Sequence, residues 1–221
     1  MNVENSTTAM PPVVELHQWQ QALAEQQQLE NDLAEQAKRV AAARRRLPMT
    51  PVQGTYTFTG SEGEVSFADL FDGKQQLVVY HFMFGPDWDA GCPSCTRYMN
   101  ELGNTFAAYI GERDTRFVLV SRAPYNKLAE HAVANGIETP WYSCATDFSE
   151  EMEAVNDSFG DLPGFTTFFR DDATIYRTYR PDSYGEPPVT GDLILHLTPY
   201  GMQLNGDDSP QGWPQSFDEE Y

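Results

Sequence analysis

The segment that most constrains this chain is an apolar run, Leu77-Val78-Val79-Tyr80-His81-Phe82-Met83-Phe84. It is followed after a loop by Cys92-Pro93-Ser94-Cys95 and a helix-patterned stretch from Thr96 to Ile110. A short apolar run rich in β-branched and aromatic residues reads as a buried strand. Two thiols at a strand-to-helix junction meet unpaired amides and partial positive charge, which favour a thiolate on the first cysteine. The pattern calls for a layered α/β fold around that strand and points to dithiol redox chemistry.

The rest of the chain supplies the layers. Thr55-Tyr56-Thr57-Phe58 and Glu64-Val65-Ser66-Phe67 read as short strands around a glycine turn. After the cysteine-bearing helix come a strand at 116–120, a helix at 127–134, a strand at 141–145 and a helical stretch at 150–157. Strands at 164–169 and 174–179 flank a turn at Asp171-Asp172. Strands that alternate with helices and close with a hairpin predict a sheet that is parallel in part and antiparallel at one side.

Appendages flank this region. Residues 1–12 are polar and aperiodic and read as disordered. From 13 to 47, Leu16, Trp19, Leu23, Leu33, Val40 and Leu47 recur at helical multiples before Pro48, which predicts a long amphipathic helix. Gln26 and Glu30 interrupt the stripe, so the helix is expected to lie across the main domain or to pair in a homodimer. Arg44-Arg45-Arg46 would complement its negative C-terminal end. The globular domain is placed at 51–200, with a short apolar helix at 192–197 after a loop at 181–190. The acidic tail at 206–221 reads as disordered.

Charge narrows the partners. Among 221 residues, 33 acidic side chains face 14 basic ones, for a formal net charge of −19. Such a surface repels phosphate backbones and argues against nucleic-acid binding. Lys38, Lys74 and Lys127 are the only lysines, a balance that suits a salty cytoplasm as well as it suits an ordinary soluble acidic protein. No apolar run reaches the roughly 18 to 20 residues of a membrane helix, and residues 1–12 lack the marks of a signal segment, so a cytoplasmic location away from membranes is expected. Three cysteines make no disulfide framework, and a lone C-x-x-C in a reducing compartment is more often catalytic or metal-binding than structural.

Several segments carry a resemblance. They are Arg45-Arg46-Leu47-Pro48, Leu70-Phe71-Asp72-Gly73, Tyr80 through Trp88, Gly91-Cys92-Pro93-Ser94-Cys95 and Val120-Ser121-Arg122-Ala123-Pro124. The chain resembles the bacterial and archaeal family called domain of unknown function 899, in the peroxiredoxin-related branch of the thioredoxin superfamily, from about Leu16 to Tyr200. Met202 stands where that pattern has arginine, and 180–190 diverges. The resemblance implies a thioredoxin-like α/β fold, a mixed central sheet flanked by helices, with an additional long N-terminal helix. It speaks to the fold more than to a reaction.

At the site, Cys92 is expected to be the exposed, low-pKa nucleophile and Cys95 the resolving thiol one turn inside the helix. Pro93 fits the first helical position and makes Cys92 an N-cap. Asp87 and Asp89 would raise the thiol unless Arg97 or Arg122 offsets them. Trp88 is either a contact surface or a lid over Cys92. Pro163 is either an ordinary turn proline in Pro-Gly or, as the resemblance implies, a cis-proline beside the cysteines that shapes a substrate groove. Cys144 reads as an apolar filler, and His81 as a core histidine.

The function expected is thiol–disulfide exchange without cofactor or metal, with an unidentified thiol, disulfide or protein substrate and electron donor. Three alternatives stay open. A zinc half-site would need distant ligands such as His131 or Cys144. A redox-inactive binding module would use the same groove. A thiol peroxidase is a third, although Asp89 and Gly85 occupy the positions where peroxiredoxins carry a hydroxyl and a proline.

Overall fold

The computed structural model describes residues 10–144, 147–158, 160–181, 203–206, 208, 211–213 and 215. The chain divides into two units, residues 48–190 and residues 1–47 together with 191–221.

In the smaller unit, helix α1 runs Leu16–Arg44, shorter at both ends than the predicted 13–47. Its sequence is rich in good helix formers, and Gln18 accepts from the Glu15 amide at the first turn (3.3 Å). Side-chain pairs four apart brace its length, with Gln26 donating to Glu30 (3.0 Å) and Gln28 to Asp32 (2.9 Å). At the far end Arg46 donates to the otherwise open carbonyl of Ala42 (2.6 Å), the role that the arginine run predicts.

The larger unit is built on one sheet. Its strands are β1 (Thr50–Pro51), β2 (Thr57–Gly60), β3 (Gly63–Ser66), β4 (Gln76–His81), β5 (Thr115–Ser121) and β6 (Trp141–Ser143), followed by β9 (Gly164–Asp171) and β10 (Thr174–Tyr179). Val155–Asn156 (β7) and Gly160–Asp161 (β8) form a separate two-stranded ladder. The helices are α2 (Pro93–Leu102), α3 (Phe106–Gly111), α4 (Tyr125–Asn135) and α5 (Phe148–Glu151). Strand order is β1-β10-β9-β4-β5-β6-β2-β3. Only β4–β5 and β5–β6 are parallel, so the sheet is antiparallel at both sides rather than at one.

The central run β10-β9-β4-β5, with α2 crossing from β4 to β5, is the arrangement of a thioredoxin-like fold. It follows from residue alternation. Leu77 and Val79 face one side of β4 while Val78 and Tyr80 face the other, and Phe117 and Leu119 alternate with Val118 and Val120 on β5. Each face therefore buries its own core: one holds Tyr80, Phe82 and both vicinal thiols, the other Phe58, Phe71, Phe148 and Cys144.

Three local expectations change. The helical stretch 96–110 is two helices, because Gly103 takes φ +70 at the end of α2. The predicted helix at 150–157 stops at Glu151; Glu153 takes φ +60, and Val155 and Asn156 pair as a strand instead. The strand expected through Phe84 ends at His81, where the chain lifts off to carry the loop before the cysteines. The expectations for 1–9, 182–190, the helix at 192–197 and most of the 206–221 tail lie outside the described residues. Among the described residues no helix is long and apolar enough to cross a membrane.

Candidate active site

Cys92 is the N-cap of α2 and Pro93 its first residue, as the spacing predicts. Both backbone ends of Cys92 are fixed. Its amide donates to Met83 O (3.0 Å), and its carbonyl accepts from the Thr96 amide (3.0 Å) and the Thr96 hydroxyl (2.9 Å). The sulfur is thereby turned toward the opening of α2 and lies 3.0 Å from the Ser94 hydroxyl.

The thiol of Cys92 is pulled down to about 5. The largest cause is the hydrogen bond that the Cys95 thiol gives it; burial opposes, and the Ser94 hydroxyl and the amides of Cys95 and Ser94 add to the pull. Local dipoles at the helix start thus favour the thiolate, as the junction predicts, and neither arginine considered as an offset to Asp87 and Asp89 is among the causes. Arg97 pairs instead with Glu101 (3.2 Å), and Arg122 with Asp161. Cys95 is raised well above the ordinary thiol, first because its proton is held by the Cys92 sulfur and second by burial. The Tyr80 hydroxyl and the Met83 amide hydrogen-bond to the Cys95 sulfur and pull the other way.

The expectation of an exposed Cys92 is corrected: the residue is only 7% exposed, and Cys95 2%. Cys92 belongs to the core cluster of its sheet face, beside Phe82 and Phe84. None of the three cysteines forms a disulfide, and Cys144 lies in the opposite core with its sulfur 3.6 Å from Thr57 O, a filler as expected.

Trp88 is 39% exposed, and its indole folds back on Gly85, where an added Cβ would come within 2.9 Å of Nε1. Arg122 follows β5 and is committed to the buried carboxylate of Asp161. Pro163 precedes β9 as placed, but the peptide bond before it is trans, contrary to the cis-proline expected from the resemblance. Gly164 opens β9 at φ +133, a backbone state that favours glycine. Phe165, next along, packs on Tyr80 (5.0 Å) and Tyr98 (6.1 Å), so the start of β9 lies against the inner face of α2.

His81 faces away from the thiols, with Nε2 2.8 Å from the Thr166 hydroxyl, and burial pushes it down to about 3. It is a neutral core histidine. Among the described residues no group of three or more histidine, cysteine or acidic side chains could hold a metal ion.

Sequence reasoning did not assign Tyr80, Ser94 or Thr96 to the site and weighed His131 only as a distant ligand. Tyr80 was legible in principle: alternation along β4 puts it on the face opposite His81. Thr96 lies one turn beyond Cys92. Nothing in the sequence points from the loop to His131, whose Nδ1 accepts from the Gly91 amide (3.3 Å) and whose Nε2 lies 3.0 Å from Thr96 Oγ1.

A mixed sheet in this strand order, with a vicinal dithiol opening the helix after its central strand, defines a thioredoxin-like protein. The family model described as "Bacterial protein of unknown function (DUF899)" matches residues 8–220, and the chain belongs to that family. Among solved structures, AhpC from Enterococcus faecalis is similar at 13% identity and TM-score 0.47, over 67% of this chain and 88% of that one. The peroxidoxin BcpB from Mycobacterium tuberculosis is similar at 19% identity and TM-score 0.43, over 58% and 82%. The thioredoxin domain of a thiol-disulfide oxidoreductase from Bacteroides vulgatus is similar at 18% identity and TM-score 0.42, over 62% and 92%. No curated protein matches the chain.

Proposed function

We propose that this protein is a thiol–disulfide oxidoreductase that reduces a disulfide substrate with Cys92 as nucleophile and Cys95 as resolving thiol. The observation that carries the reading is the unequal pair: one sulfur held as thiolate by donors at a helix start, the other kept protonated beside it. Unequal neighbouring titratable groups of this kind are what sequential nucleophile and resolving roles require.

The Cys92 thiolate attacks one sulfur of the substrate disulfide. A Cys92–substrate disulfide forms, the substrate's own bond breaks, and the departing thiolate takes a proton from solvent. Cys95 then gives up its proton to solvent and attacks the Cys92 sulfur. The intramolecular disulfide forms and the second substrate thiolate leaves. Two electrons have passed from the dithiol to the substrate, and an external dithiol donor restores the reduced pair.

The test is alkylation of Cys92 against pH, read by mass spectrometry, followed by exposure to oxidised glutathione. A midpoint near pH 5, with loss of two hydrogen masses across Cys92 and Cys95, is expected. Alkylation only above about pH 8.5 with no disulfide would refute the reading. So would full disulfide-reductase activity in Cys92→Ser.

A further inference from the structure

We propose that Lys127 and His131, one turn apart on α4, are positioning residues that clamp the loop from Gly85 to Gly91 and so aim Cys92 at the start of α2. The inference rests on the dithiol reading of Cys92 and Cys95 and adds a structural control that neither thiol supplies.

Residues four apart share one helix face, and both of these side chains reach the same loop. The Lys127 ammonium donates to Pro86 O (3.1 Å) and to Trp88 O (2.8 Å), which gathers the outer part of the loop at a single charged point. His131 holds the inner end. Gly91 donates its amide to Nδ1, so Nδ1 carries no proton and Nε2 does. Nε2–H then donates to Thr96 Oγ1, and the Thr96 hydroxyl in turn donates a hydrogen bond to the Cys92 carbonyl. A relay of two hydrogen bonds therefore joins α4 to the backbone of the nucleophilic cysteine.

The ring is fixed for this role. It meets Phe82, Phe84 and Trp141 edge-on at 5.9, 5.6 and 5.9 Å. A Cβ at Gly91 would come within 2.7 Å of Phe82 and 3.1 Å of His131, so the loop lies flat against the clamp. The loop starts from an anchor as well, with Ala123 donating to Phe84 O (2.8 Å). A long loop before the thiols would otherwise sample many conformations, and each would move the Cys92 sulfur relative to the donors that hold its charge.

The experiment uses the full chain with Lys127→Met, Lys127→Arg, His131→Leu and Thr96→Val. The alkylation midpoint of Cys92 is measured against pH, and thermal unfolding serves as the control for fold. Lys127→Met, His131→Leu and Thr96→Val should each move the midpoint up by about one unit, a tenfold loss of thiolate below the midpoint. Lys127→Arg should keep the wild-type midpoint. Lys127 is only half-buried, so its variants remain informative if His131→Leu fails to fold. Folded Lys127→Met with an unchanged midpoint would overturn the inference while leaving the dithiol reading intact. A wild-type midpoint near that of a free thiol would overturn both.

Discussion

The Cys92 sulfur and the Ser94 hydroxyl lie 3.0 Å apart at the first turn of α2, so the side chain between the two cysteines is itself a donor to the thiolate. Ser94→Ala removes that donor and leaves the amides and the Cys95 thiol in place. A hydrogen bond to a charged group contributes about 1.5–3 kcal/mol, and each pH unit corresponds to about 1.4 kcal/mol. The alkylation midpoint of Cys92 should rise by about one unit; an unchanged midpoint would mean that the hydroxyl contributes nothing.

Tyr80 is fully buried between Tyr98 (5.4 Å) and Phe165 (5.0 Å), with its hydroxyl on the Cys95 sulfur. Tyr80→Phe keeps the ring stack and removes a donor to the thiolate that Cys95 must become. Under the proposed mechanism the resolving step should slow about tenfold while attack by Cys92 is unaffected. Stopped reactions resolved by mass should then show the substrate-linked Cys92 intermediate accumulating, and equal amounts in wild type and variant would contradict this.

His81 sits in the core at a value pushed down to about 3, whereas the unfolded chain titrates it near 6.5. Between those limits the unfolded state binds the extra proton, so the neutral histidine's contribution to stability is full above about pH 6.5 and is lost as the pH falls. The loss is at most about 1.4 kcal/mol per unit. Urea unfolding at pH 7 and pH 4.5 should show a steeper acid loss for wild type than for His81→Gln. Parallel losses would place the acid sensitivity elsewhere.

Phe148 meets Tyr56, Phe58 and Phe67 at 5.0, 5.1 and 5.4 Å and is fully buried. Phe148→Ala should cost about 3–5 kcal/mol in denaturant unfolding, since the surrounding rings cannot close the space left. Because this core lies on the sheet face away from the thiols, the alkylation midpoint of Cys92 in the folded variant should not move.

The sequence was informative where its signal is periodic or local. Short apolar runs marked the buried strands at the centre of the sheet, and Cys-Pro at a strand-to-helix junction placed Cys92 as N-cap with Pro93 behind it. It was misleading where one residue's backbone state outweighs a pattern. Gly103 splits a helix that periodicity runs together, and Glu153 turns a helical stretch into a strand.

By itself, then, the sequence determined the layered fold, the dithiol and its place at a helix start, because each depends on spacings along a few residues. Only the tertiary structure decided what surrounds the thiols. Tyr80 against Cys95, Arg122 committed to Asp161, and Lys127 and His131 on the loop are contacts between elements distant in sequence. Such contacts exist only once β4, α2 and α4 have packed, since no local preference of the chain encodes which side chains that packing brings face to face.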